Sequence, residues 1–274
     1  MRHILWFLSF FLICTTSCKK EQEQVKHLTL SGTVLDESSS PVAGAIITLG
    51  NTDVSTGSDG TFVFNDVNGN TPSFKLTALK DGYFPAYSNV DNLDGSSTTC
   101  SLMMLSKNQL GTIPASGGQV SASGIRVTAP AGSFKNADGT TYTGPVTVSA
   151  NYVNATNVNI ARAMPGGDFL ATNTAGTDGG MRTYGFTATE FRDAVGQALT
   201  PTANVKIGIT LPAGTPTPAT TGAMAWAYNP TTGKWGAEAA VTTSGPEVFM
   251  PCITLYQNLD AFVEYGTLAG TVLC

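Results

Sequence analysis

The feature that most restricts this chain is the stretch 28–64, LTLSGTVLDESSSPVAGAIITLGNTDVSTGSDGTFVF, where short apolar alternations are cut by turn residues. Leu28, Leu30, Gly32 and Val34 alternate with Thr29, Ser31 and Thr33, a period of two that lays one side of a strand on a core. Ser38-Ser39-Ser40-Pro41 breaks that strand, residues 45–49 form the next, and 51–53 end it. Ser58-Asp59-Gly60 signals a tight turn, and Thr61-Phe62-Val63-Phe64 follows as a strand with both phenylalanines on one face. Residues 65–70 are expected to turn, 74–78 to extend, Gly82-Tyr83-Phe84-Pro85 to bend the chain, and 99–105 to close the set. About seven short strands with turns every 8–12 residues or so predict a Greek-key β-sandwich.

Composition extends this reading to the whole chain. Charged residues are only 12 % of the sequence, against a usual share of about 25 %, so strand faces must be neutral Thr, Ser and Asn. The 30 glycines and 14 prolines lie between apolar runs rather than in one block, as turn punctuation does. A chain of 274 residues can bury two cores. The expectation is an all-β protein of two tandem Greek-key β-sandwich domains, at 28–106 and 107–262. In the second, residues 125–127, 146–149, 183–189 and 205–211 read as strands, and Met164–Phe169 as a loop. Pro201 and the proline-rich 212–218 mark edges or linkers. Met224, Trp226 and Tyr228 share one strand face and Ala223, Ala225 and Ala227 the other; Asn229-Pro230-Thr231-Thr232-Gly233 returns the chain as a hairpin at Lys234-Trp235. Residues 256–261 are polar-aromatic and are expected to close this sandwich.

Two resemblances attach to these motifs. Gly32-Thr33-Val34, Pro41-Val42-Ala43-Gly44-Ala45, Thr56, Asp59-Gly60-Thr61-Phe62 and Gly82-Tyr83 resemble the carboxypeptidase regulatory-like domain, a transthyretin-type sandwich. That resemblance implies an accessory module without catalytic residues of its own. The phrase GIRVTAPAGSF…DGTTYTGPVTVSA is similar to the ZU-type sandwich of ankyrins and netrin receptors. The tandem looks like the extracellular region of cartilage intermediate layer proteins and their bacterial lipoprotein relatives.

At the N-terminus, Arg2 and His3 precede the apolar run 4–13, too short for the roughly 20 residues a bilayer span needs. A basic start, a short apolar middle and the small residues Thr15, Thr16 and Ser17 before Cys18 are the layout of a signal peptide over 1–17. It resembles a bacterial lipoprotein signal, which implies acylation of Cys18; a cleaved signal with an incidental cysteine is the alternative. Residues 18–27 then form a solvated tether, and its lysine pair followed by acidic residues is similar to a surface-export signal of some Gram-negative lipoproteins. The expected location is the cell outer membrane, lipid-anchored, either exposed at the outer surface or facing the periplasm. Residues 268–274 repeat 30–36 at five of seven positions, so 263–274 read as the first strand of a further, truncated module or as a strand for a neighbouring sheet.

Chemistry is narrowed by what is scarce. The two histidines are His3 and His27, which removes a Ser-His-Asp arrangement or a His-rich zinc site from either sandwich. With a formal charge of −5 and no Lys/Arg cluster in the body of the chain, nucleic acid is not an expected partner. Cys100 reads as a buried small residue, and Cys252 with Cys274 as a possible bridge. Asp91 and Asp94 could offer oxygens to Ca²⁺, but turn chemistry explains the same residues without a metal, so no metal or other cofactor is expected. Trp226, Tyr228 and Trp235 are the candidate rings for stacking on a sugar, against the reading that rings on one strand face fill a core. The expected function is a non-catalytic envelope interaction or adhesion module for a glycan or protein partner. The alternatives are a spacer presenting a missing C-terminal domain, or a polysaccharide hydrolase using carboxylates such as Asp91 or Asp168.

Overall fold

The computed structural model describes residues 26–91, 97–216, 222–252 and 254–265. The signal segment with Cys18, then Asp94, and the 268–274 repeat with Cys274 lie outside them. The described residues are built from strands, with one short helix at Ile160–Ala163, so the chain is all-β.

The N-terminal sandwich faces two sheets together. One has the order Thr61–Asn68, His27–Leu35, Thr98–Met103; the other Thr52–Ser55, Ile46–Leu49, Ser73–Leu79, Ala86–Asp91. Leu30, Val34, Ile47, Phe62, Phe64 and Leu76 meet between them, which is where the period of two sends them. Gly32 is fixed by close approach. A Cβ there would lie 2.6 Å from the Phe62 ring and 2.7 Å from the Cys100 carbonyl oxygen, on its two register partners. Gly32→Ala is therefore expected to destabilise the protein by about 1–3 kcal/mol through overpacking, read from the denaturant midpoint; an unchanged midpoint would show that the two ladders part freely. In the Asp59-Gly60 turn, Asp59 accepts bonds from the Thr61 N–H (3.0 Å) and hydroxyl (2.8 Å), and Gly60 takes φ +75°.

Three local expectations change. Residues 65–68 continue the strand from Thr61 rather than turning: Leu28 faces Val67 and Leu30 faces Phe64, so the extra residue is absorbed in a bulge with Asp66 at φ +63°. Thr52–Ser55 is a strand paired with Ile46–Leu49, not the end of one. Ala86–Asp91 is also a strand, paired with Ser73–Leu79.

In the C-terminal part, a seven-stranded sheet has the order Leu170–Thr172, Lys234–Ala239, Met224–Asn229, Tyr256–Glu264, Asp178–Arg192, Val146–Asn154, Asn108–Ile113. One face packs on a five-stranded sheet containing Ile125–Pro130, Lys206–Thr210 and Glu247–Pro251, around Val127, Val148, Ile207, Met250 and Leu259. The other face packs on the N-terminal sandwich, where Phe84, Met103 and Leu105 join Phe186, Trp226, Trp235 and Tyr256 in a third core. The large sheet is thus a middle layer, apolar on both faces. Tyr256–Glu264 joins the second sandwich as an inner strand between Met224–Asn229 and Asp178–Arg192.

Candidate functional site

The three candidate rings are core residues. Trp226, Tyr228 and Trp235 are 2 %, 5 % and 1 % exposed, so no ring face is open for a sugar. Trp226 stacks on Phe262 at 5.5 Å and its indole N–H donates to the Asp260 carbonyl at 3.2 Å. Tyr228 packs between Trp235 and Tyr87, each at 5.3 Å. Tyr87 belongs to the N-terminal sandwich, so the hairpin grips its neighbour within the chain. The reason is layer position: Ala223 and Ala225 go to one core while Trp226 and Tyr228 go to the other.

Polar groups lock the same joint. Asn89 donates through Nδ2 to the Asp168 carboxylate at 2.7 Å and to the Gly233 carbonyl at 2.8 Å. The backbones of Tyr87 and Asn89 bond Gly166 in both directions, and Lys75 reaches the Thr231 carbonyl at 2.9 Å. Asp168 also accepts from the Leu170 N–H at 3.1 Å; it is a clasp residue. Asp91 lies exposed at the end of its strand. Among the described residues no three His, Cys, Asp or Glu side chains are grouped to hold a metal ion. Burial pushes the Cys100 thiol up to about 12, which leaves it unreactive as a nucleophile.

The cleft beside this joint was not foreseen. Its volume is about 430 Å³, within the range of about 300–1,000 Å³ for small-molecule sites. Ile46 and Leu79 form its floor. They are register partners on the outer sheet face, 39 % and 45 % exposed, because Ile47 and Ala78 take the inward positions. The bend at 80–85 supplies one wall: the Tyr83 N–H bonds the Lys80 carbonyl at 3.1 Å and the Phe84 N–H the Leu105 carbonyl at 2.8 Å. Phe84 is thereby buried, while Tyr83 and Pro85 face the cleft beside the charged heads of Lys80 and Asp81.

Lys107 forms the far wall. Its N–H bonds the Gly82 carbonyl at 2.8 Å, its ammonium stands 5.8 Å from the centre of the Phe84 ring, and it pairs with Glu190 at 2.9 Å. Burial pushes the Glu190 carboxyl up, but hydrogen bonds from Arg192 and Lys107 outweigh it and hold the group below the usual carboxylate range. The cleft therefore combines an apolar floor and ring edges with fixed polar heads, an arrangement suited to holding a ligand.

These features define an all-β sandwich protein with a cleft beside the joint between its sheet pairs. Residues 29–104, the N-terminal sandwich, match the family model of the carboxypeptidase regulatory-like domain. No curated protein matches the chain. Among solved structures, it is similar at 12 % identity to a candidate membrane-associated protein of unknown function from Bacteroides fragilis, over 88 % of this chain and 99 % of that one, with a TM-score of 0.24. It is similar at 9 % identity to a candidate carbohydrate binding protein from Bacteroides uniformis, over 87 % of this chain and 99 % of that one, with a TM-score of 0.23. Scores that low carry nothing about this chain's own function.

Proposed function

We propose that this protein is a non-catalytic interaction module of the cell envelope, lipid-anchored through Cys18 and displayed at the outer membrane. The cleft beside the joint is its contact surface. The observation that carries the reading is the pair Ile46 and Leu79, two large apolar side chains left open side by side beneath Tyr83 and Pro85, since exposed apolar surface gathered in a hollow marks a binding site. The carboxylates named for a hydrolase support the same reading: Asp168 is held by Asn89 and the Leu170 N–H in the clasp, while Asp91 lies at the exposed end of its strand. The lipoprotein-like signal and the ZU-type resemblance of the second sandwich place the module, in this reading, among surface accessory proteins.

Leu79→Asp tests it, because a charge on the cleft floor costs the fold little at so open a position but desolvates on binding. Capture of envelope polysaccharide or protein by the purified full chain is expected to fall about tenfold, a loss of ~1.4 kcal/mol, with the unfolding midpoint nearly unchanged. A variant that captures as well as the parent would remove the cleft from the function, and a parent that captures nothing would remove the function itself.

A further inference from the structure

We infer that the cleft is one end of a longer groove that takes a neutral polysaccharide chain across the joint, a deepening that rests on the interaction-module reading. A second hollow of about 290 Å³ is lined by Glu190, Thr200, Pro201, Thr254 and Leu255, among others. One ion pair separates the two. Lys107 lines the first hollow and Glu190 the second, and their side chains, 22 % and 18 % exposed, form a saddle that solvent reaches. Arg192 holds Glu190 at 2.6 Å and 3.0 Å while also bonding the Gly196 carbonyl, so the saddle is a fixed part of the surface. The Tyr256 hydroxyl, one residue past Leu255, donates to the Pro85 carbonyl at 2.7 Å and ties the linings of the two hollows together.

The lining selects the ligand class. Lys80, Lys107 and the saddle's Arg192 are matched by Asp81, Glu190 and the Glu37 carboxylate that holds Ser106 next to Lys107, so an anionic polymer finds no net attraction there. An extended peptide usually docks by adding a strand to a free sheet edge. The backbone walling these hollows has little to give: Ile46–Leu49 is paired by Thr52–Ser55 and Ser73–Leu79, the Thr189 and Leu199 N–H groups are already bonded to the Leu255 and Phe191 carbonyls, and the outer strand Thr200–Pro201 is two residues long with a proline that cannot donate. What remains is apolar surface from Tyr83, Pro85, Pro201 and Leu255 interrupted by fixed polar heads and the Thr200 hydroxyl. That pattern complements a sugar ring, with its apolar face and rim of hydroxyls. Two hollows joined by one ligand raise affinity with chain length, because the second contact becomes intramolecular.

The test is calorimetric titration of the full chain with disaccharide and hexasaccharide members of the laminari-, cello-, malto- and manno-series, repeated with Thr200→Trp to fill the second hollow. In one series the hexasaccharide is expected to bind about tenfold or more tighter than the disaccharide, and Thr200→Trp to collapse that advantage. Equal binding of short and long members, with no effect of Thr200→Trp, would overturn the groove and leave the single cleft standing. Binding of acidic polysaccharides or peptides in place of every neutral series would overturn the ligand class. Silence toward all of these, together with no capture of envelope material, would sink the interaction-module reading as well.

Discussion

Trp235→Ala is expected to lower the stability of the folded chain by about 3–5 kcal/mol through the lost ring and the cavity it leaves. The indole is 1 % exposed, packs against Tyr228 at 5.3 Å, and donates its N–H to the Pro165 carbonyl at 3.0 Å. Removing it leaves that carbonyl without its donor, which adds roughly 1 kcal/mol. Against a typical total of about 5–15 kcal/mol the loss is severe. Trp235→Phe keeps most of the buried area and gives up the N–H, so its cost should fall well below that of alanine. Denaturant unfolding followed by circular dichroism decides the matter. An alanine variant within about 1 kcal/mol of the parent would mean the ring is not buried between layers, well outside the usual cost of such truncations.

The second large effect is in the response to pH. Asp260 is fully buried, its Oδ2 accepts from Asn258 at 3.2 Å, and its Oδ1 lacks a hydrogen bond of normal length. Burial pushes its carboxyl up to about 8, with the Arg182 backbone N–H and the Asn258 amide opposing. In the unfolded chain an aspartate titrates near 4 or so. Between those two values the unfolded state has released a proton that the folded state retains, so rising pH favours unfolding. The stabilising contribution is complete below about pH 4, declines by about 1.4 kcal/mol per pH unit, and is gone above about pH 8. Asp260→Asn deletes this proton and nothing else that titrates. The stability of the variant minus that of the parent is therefore expected to grow by about 4 kcal/mol from pH 4 to pH 7, whatever constant offset the amide introduces. Parallel pH curves for the two proteins would show that Asp260 is ionised in the fold.

The difference between what sequence could and could not reveal is physical. Leu28 to Val34 was legible because one face of its sheet is polar, which leaves a clean alternation. The Trp226 strand shows two distinct faces, large and small, but nothing local says that the small face is covered too; that depends on a sheet assembled from separate segments at 117–130, 206–210 and 242–251. Tyr256–Glu264 misleads for a related reason. Gln257, Asn258 and Asp260 interrupt any apolar alternation, yet all three are buried, with Asn258 accepting from Thr183 at 2.6 Å and Gln257 donating to the Pro251 carbonyl. Polar residues tied in at one or more atoms break the hydrophobic pattern without leaving the core. The strands Thr52–Ser55 and Ala86–Asp91 are short and follow turn residues closely, so no apolar alternation marks them in the sequence. The cleft has no local signature at all, because Ile46, Leu79, Tyr83 and Lys107 meet only after the sheets pair.

The order of synthesis meets an obstacle in the parallel ladder between His27–Leu35 and Thr98–Met103. Ser31 is bonded to Thr99, 68 positions further along, so His27–Leu35 keeps one edge open until Thr98–Met103 is made, even after Thr61–Asn68 has paired with the other. At about 5–20 residues per second that delay is roughly 3–14 seconds, while a hairpin needs only microseconds or so to form. For that interval the edge of His27–Leu35 that takes Thr98–Met103 is a row of unpaired backbone groups, and native yield depends on how well it is shielded until its partner arrives.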